Sequence, residues 1–330
     1  MLILAKSVLA LMLGLIVSAV IGLILVPILK RKKIGQKISI YMEDSHNKKN
    51  GTPTMGGIMF ILSTLICIAV LFIFKKIELT PNLFIILFVF LSYALIGFID
   101  DYLSIKKKNN EGLTTIQKLL LQLVVAIVFF IVYMNSGADL ILKINTLNIE
   151  INLGWFYAVF ILFLLVGGSN AVNISDGLDG LAGGLSAIAF LSFGLIAWGA
   201  TWVAGNQDIA ILCFIILGSL LGFLIYNTYP ARVFMGDTGS LALGATLASI
   251  AILTGHEVTL VVVAGVFVIE TLSVIIQNIS MILFKKKTFL MTPLHHHFEK
   301  LGWEERDIVK LFWIIGFILG MAGIAFGVWI

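Results

Sequence analysis

The sequence predicts an all-α polytopic membrane protein of about ten transmembrane helices, organised as a single domain over residues 1–330. Three observations predict it. Hydrophobic residues make up 60% of the chain and charged residues only 12%, against roughly 25% charged in an average globular protein. Apolar runs long enough to cross a bilayer, about 20 residues each, recur from end to end. The basic residues also segregate to alternate loops. A soluble protein of this size could not hide so much apolar side chain, so soluble enzymes, disordered chains and collagen-like structures are excluded.

The apolar runs place spans near 2–29, 55–74, 82–99, 119–135, 155–171, 181–203, 209–226, 240–254, 258–284 and 311–330. The first, Leu2 to Leu29, is too long for a signal-peptide core and lacks a small-residue cleavage pattern, so it reads as a retained span. Of the 22 Lys and Arg residues, all but Lys6, Lys75, Lys76 and Lys143 fall on one side, which the positive-inside rule makes cytoplasmic. An even number of spans then puts both termini outside. Between the fourth and fifth spans, Ile141 to Leu153 alternates apolar and polar residues, which predicts a short extracytoplasmic β-hairpin.

The ninth run is anomalous. Val258 to Phe284 is 27 residues, about 40 Å as a straight helix, against a hydrocarbon core of about 30 Å. It also carries Glu270, Gln277 and Asn278. A carboxylate facing lipid costs a few kcal/mol, so Glu270 is expected to face protein. The run is either broken or steeply tilted, or it is one long helix whose last turns emerge into the cytoplasm. Cys67 and Cys213 sit singly in apolar runs and carry no redox or metal pattern. The net charge of +4 is too scattered to suggest nucleic acid.

Nearly all unusual chemistry falls in the cytoplasmic loops. Asp100 and Asp101 end the third span, where acidic side chains oppose the helix dipole. Adjacent helical residues point about 100° apart, so the pair cannot grip one ion together. The loop Gly167–Gly184 gathers Asn170, Asn173, Asp176 and Asp179 among glycines, more than a single N-cap requires. A third loop, Asn227–Ser240, carries Arg232, Phe234 and Asp237, the last at a possible N-cap before a span. The final loop holds His295, His296 and His297, three of only five histidines. Consecutive rings rarely surround one zinc ion; imidazoles facing phosphate or sugar fit better. The first loop adds His46 and Lys49 beside a Gly-Thr-Pro-Thr turn. Several acidic loops on one face suit a hard divalent cation, Mg²⁺, which takes carboxylates together with phosphate oxygens. Lysines and histidines at the rim would bind the remaining phosphate charge. The substrate is then phosphorylated, and one reactant is a lipid.

GTPTMGG (51–57), IGFIDDY (96–102), NAVNISDGLDGLAGG (170–184), VFMGDTGS (233–240) and TPLHHHFEKLGW (292–303) resemble, in order, the motifs of the polyprenyl-phosphate N-acetylhexosamine 1-phosphate transferase family. GTPTMGG and PLHHHFE favour its bacterial phospho-N-acetylmuramoyl-pentapeptide branch over relatives that use other UDP-linked hexosamines. The resemblance implies a homodimeric enzyme of the bacterial inner membrane with a cytoplasmic site. It would move phospho-MurNAc-pentapeptide from UDP to undecaprenyl phosphate, giving lipid I and UMP in peptidoglycan synthesis, with Mg²⁺. Transferred motif by motif, Asp237 ligates Mg²⁺ with Asp176 beside it, and Asp100 and Asp101 handle the lipid phosphate. Asn173, Asp176 and Asp179 line the nucleotide pocket, with Phe234 stacking on uracil. Lys49, Asn227 and His295 to His297 hold the nucleotide-sugar, and Lys118 joins the substrate-binding set. In one departure, Ser104 stands where the family carries a lysine shortly after the aspartate pair, and Lys106, Lys107 or Lys108 would substitute. Direct attack by the lipid phosphate is the expected route, and a phosphoryl-aspartate enzyme is the rival. The alternative of another class is a transporter of anionic lipid, whose polar residues should line a path across the bilayer.

Overall fold

A computed structural model describes residues 2–31, 51–107, 112–144, 147, 149–199 and 206–329. Among them the elements run α1 (Leu2–Arg31), α2 (Gly57–Ile73), α3 (Pro81–Lys107), α4 (Thr115–Asn135), β1 (Ile141–Ile144), β2 (Ile149–Asn152) and α5 (Phe156–Ile174). They continue with α6 (Leu181–Gly199), α7 (Asn206–Asn227), α8 (Asp237–Thr254), α9 (Glu257–Val263), α10 (Gly265–Leu283), α11 (Leu294–Lys300) and α12 (Glu305–Ile324). A π-helical turn, Ala325–Trp329, prolongs α12. Nine of these helices are long and apolar enough to cross a membrane, and Gly57–Ile73 is a shorter apolar helix. The architecture is the expected multi-pass helical one, and each predicted span has its helix.

Local chemistry accounts for the boundaries. α4 opens with a capping box in which Thr114 accepts from the Gln117 N–H while the Gln117 side chain accepts from the Thr114 N–H. The hairpin pairs Ile141 with Asn152 and Ile144 with Ile149 in antiparallel register. Its cross-strand pair Lys143–Glu150 lies 3.6 Å apart on an exposed face, where such pairs add little.

The ninth pass is two helices. α9 stops at Val263 and α10 starts at Gly265, with Ala264 between them at φ −90°, ψ 18°. The long run is thus resolved as a broken helix, which the unusual length had allowed. Glu270 is fully buried, as the cost of a lipid-facing carboxylate requires. At the opposite end of α9, the Tyr157 hydroxyl donates to the buried Glu257 and ties α5 to this corner.

α8 is the centre of the bundle. It packs against α2, α3, α5 and α6, and is buried along almost its whole length. Without a hydrophobic drive between helices in lipid, close backbone approach supplies the packing energy. Small residues permit it here. A Cβ added to Gly97 of α3 would lie 2.1 Å from the Asp237 carbonyl oxygen. One added to Gly244 of α8 would lie 2.1 Å from the Gly168 carbonyl oxygen of α5.

Gly244→Ala is therefore expected to cost about 1–3 kcal/mol through overpacking and to lower the unfolding temperature of the detergent-solubilised protein. Gly167→Ala, whose new Cβ would meet nothing within 4 Å, is expected to leave it unchanged.

Candidate active site

The site starts at the N-terminus of α8. Its N-cap, Gly236, has φ 74° and offers no capping side chain, so the first backbone donors of the helix need partners from elsewhere. Asp101 of α3 supplies them. One carboxylate oxygen accepts from the Asp237 N–H at 3.2 Å, and the other from the Thr238 N–H at 3.0 Å and the Thr238 hydroxyl at 2.6 Å. Asp101 is only 3% exposed, so these bonds form away from competing water. Gly236 is obligatory: its φ favours glycine, and a Cβ there would lie 2.6 Å from an Asp101 oxygen. The Gly51–Gly57 motif is zipped to the same corner. Phe234 N–H donates to Pro53, Gly56 N–H to Phe234 and Gly57 N–H to Met235, at 2.8, 2.8 and 2.9 Å.

Held this way, Asp237 projects from the first turn of α8 into a ring of polar groups. Lys118 of α4 approaches one of its oxygens at 2.5 Å, and Asn173 of α5 donates to the other at 2.8 Å. Asn173 also donates to the Ser240 hydroxyl at 2.9 Å. Lys118 reaches Asp100 as well, at 3.3 Å, and the same Asp100 oxygen accepts from the Leu113 N–H at 2.9 Å. The two adjacent aspartates thus serve different partners, as their helical offset demands. Lys107 turns instead to the Gly112 carbonyl, at 3.1 Å. Among the described residues, Lys118 is the cation that meets the aspartates.

Asp176, in the turn after α5, faces the same cluster. Burial, and then the carboxylates of Asp237, Asp101 and Asp179, push its pKa up to about 7, against a hydrogen bond from the Gly236 N–H. Like charge is in excess here. Asp100, Asp101, Asp176 and Asp237 come from three separate segments, and among the described residues Lys118 is the cation bonded among them.

The neighbouring loops are fixed by side chains. Asp179 accepts from the Ala231 N–H at 2.9 Å, and its own N–H donates to Glu305 of α12 at 2.7 Å. Asn227 donates to the Val233 carbonyl at 2.9 Å, leaving its buried side-chain oxygen without a protein partner. Phe234 is half-buried beside it. The three histidines take different partners, although the rings of His295 and His296 meet edge-on with centroids 4.2 Å apart. His295 is fully buried against Glu270 at 3.1 Å, His296 bonds Glu299 at 2.6 Å, and His297 accepts from the Leu290 N–H at 3.2 Å. Among the described residues no group of three or more His, Cys, Asp or Glu could hold a metal by itself. Lys49 and Lys108 lie outside the described residues. Sequence reasoning missed Glu305, Thr238 and Ser240 as site partners. Thr238 and Ser240 at least stood inside the GDTGS motif; Glu305 carried no signal.

The sequence profile of glycosyl transferase family 4 matches residues 83–255, and signature 1 of the phospho-N-acetylmuramoyl-pentapeptide-transferases matches residues 49–61. A phospho-N-acetylmuramoyl-pentapeptide-transferase of Geobacillus sp. (strain WCH70) is 49% identical over 323 residues, covering 98% of each chain. Those of Bacillus subtilis (strain 168) and Bacillus cytotoxicus are 47% and 48% identical, covering 97% and 95% of each chain. The chain therefore belongs to glycosyl transferase family 4, and within it to the phospho-N-acetylmuramoyl-pentapeptide transferases. It is an enzyme of the glycosyl-1-phosphate transferase class.

Removing the Asp101 carboxylate strands three buried donors. Asp101→Ala is expected to destabilise the protein by at least about 2 kcal/mol in SDS-titrated unfolding. Asp101→Asn, which keeps one acceptor oxygen, should fall between it and the wild type.

Proposed function

We propose that this enzyme transfers phospho-MurNAc-pentapeptide from its UDP-linked donor to undecaprenyl phosphate, giving lipid I and UMP, with Mg²⁺, at the cytoplasmic face of the bacterial inner membrane. The observation that carries this reading is the convergence on Asp237 of Lys118, Asn173 and Asp101 from three different helices, with Asp176 alongside. The relatives' names supply the donor sugar. The site lies where α3 and α5 end and α4 and α8 begin, and Lys106 and Lys107 close α3 at that end. The loop Lys285–Lys287 after α10 adds three more cations beside α11. By the positive-inside rule such an end faces the cytoplasm, where a UDP-linked donor is found.

The residues fit Mg²⁺ held through one or two carboxylates, the usual mode when phosphate and water complete the shell. Asp237 and Asp176 would hold it, and the surplus of acid around Lys118 is the observation that fits. Bound there, the ion would neutralise the diphosphate and the charge that develops in transfer. The chain's own groups do the rest. Asp101 caps α8 with both of its oxygens, accepting three hydrogen bonds that position Asp237, so it is poorly disposed for nucleophilic attack. That favours direct displacement. An oxygen of the lipid phosphate attacks the β-phosphorus of the donor, the bond to the bridging oxygen breaks, and UMP departs with that electron pair. A phosphate monoester with a second pKa of about 6 is already mostly dianionic at neutral pH, so no strong base is needed. Lys118, held between Asp100 and Asp237, offsets acceptor charge, and Asn173 keeps the Asp237 carboxylate oriented.

UMP release from UDP-MurNAc-pentapeptide and undecaprenyl phosphate tests the reading. Release is expected with the muramoyl donor and to be far slower with UDP-GlcNAc; equal rates would reassign the donor. Asp237→Asn and chelation by EDTA are each expected to abolish release, with Mg²⁺ restoring the chelated enzyme only. Because Asp176 keeps its proton until about pH 7, an incoming cation must displace it. The apparent Mg²⁺ affinity is therefore expected to rise roughly tenfold per pH unit below that point and to level off above it, measured by isothermal titration at several pH values.

A further inference from the structure

Glu270 has no part in the cluster around Asp237, yet it is a fully buried carboxylate in the second half of the broken ninth pass. One of its oxygens accepts from the His295 backbone N–H at 3.1 Å, and the other meets His295 Nδ1 at 3.1 Å. The first bond caps α11, whose N-cap, Pro293, has no capping side chain. The second settles the imidazole. A carboxylate accepts only, so Nδ1 carries a proton, and in the neutral ring Nε2 is left with its lone pair outward. That atom is buried without a hydrogen-bond partner. It occupies the place a side chain would fill at Gly177, 2.3 Å from where a Cβ would sit. Gly177 is the residue next to Asp176.

We propose that Glu270 is a positioning residue for the Asp176 loop: by holding the His295 proton on Nδ1, it presents a lone pair rather than an N–H to the backbone of Gly177. A lone pair tolerates the glycine Cα–H at close range. An N–H in the same place would be a buried donor with nothing to bond, and the loop would have to move to relieve it. Glu270 thus acts through the ring on the loop that carries Asp176, without touching substrate itself. This rests on the reading of Asp176 as part of the cation and donor site.

Glu270→Gln separates the two tasks of the carboxylate. The amide oxygen can still accept from the His295 N–H, while the amide nitrogen can only donate towards Nδ1, which drives the ring proton to Nε2. The test uses full-length protein in nanodiscs with ¹⁵N-labelled histidine, the ring signal of His295 being identified by its loss in His295→Asn; five histidines make this tractable. The wild type is expected to show the Nδ1–H tautomer and Glu270→Gln the Nε2–H tautomer. In kinetics, Glu270→Gln is expected to raise the KM for the nucleotide-sugar about 10-fold, the size of the effect of one buried donor left unbonded, and to leave the KM for the lipid unchanged. In a His295→Asn background the same substitution should change nothing further. An Nε2–H tautomer in the wild type, or an equal loss in both backgrounds, would overturn the proposal. The ring spectrum is read without substrate, so a failure of UMP release would count against the proposed reaction alone. If Glu270→Gln does not fold, Gly177→Ala approaches the same contact from the loop: the donor KM should rise with His295 present and not in His295→Asn, and a rise in both would contradict the proposal.

Discussion

Two helices, α8 and α11, begin without a capping side chain of their own, and each borrows a buried carboxylate from another helix. Asp101 of α3 serves α8, and Glu270 of α10 serves α11. Inside a bilayer the backbone has no water to turn to, so an uncapped helix start at the membrane boundary is expensive. The solution has a consequence for function. A cap supplied in trans ties the start of one helix to the flank of another, so the cap and the position of the site are the same interaction. Asp237 stands where it does because the donors beside it, its own N–H and that of Thr238, are bonded to α3.

The close packing around α8 follows from that constraint. Asp101 reaches the α8 backbone only because α3 and α8 touch at Gly97, where a methyl group would collide with the Asp237 carbonyl. The Gly168–Gly244 contact does the same on the α5 side, and so delivers Asn173 to the second Asp237 oxygen. Glycine at helix crossings, acid at helix starts and one shared lysine build a pocket in which, among the described residues, acid outnumbers base. Such a pocket is stable only if part of it stays protonated, as Asp176 does, or if a cation enters.

Much of this was legible in the sequence. Apolar run lengths located every pass, and the extra length of the ninth left a break as one reading beside a single long or tilted helix. The placement of Asp100, Asp176 and Asp237 in separate segments on the side where the basic residues gather leads to the expectation of one acidic site. What could not be read was the division of labour. Two adjacent aspartates look equivalent on paper, yet Asp101 becomes a structural cap while Asp100 stays with Lys118. Lys118 belongs to the expected substrate-binding set, but its partners were not legible: it sits four residues into an apolar run, and the fold brings it to Asp237 and Asp100. The histidine triplet suggested three similar rings; burial gives each a different carboxylate or backbone partner. Pairings of this kind depend on tertiary approach, which local pattern does not encode.

The central claim is that these acids assemble to receive a divalent ion where the diphosphate lies. Anomalous scattering from crystals of the enzyme grown with Mn²⁺ in place of Mg²⁺ tests it most directly. The account predicts a single strong peak between Asp237 and Asp176, with Lys118 drawn away from the Asp237 oxygen it now holds. A peak at the histidines, or none at the aspartates under conditions that support turnover, would contradict it.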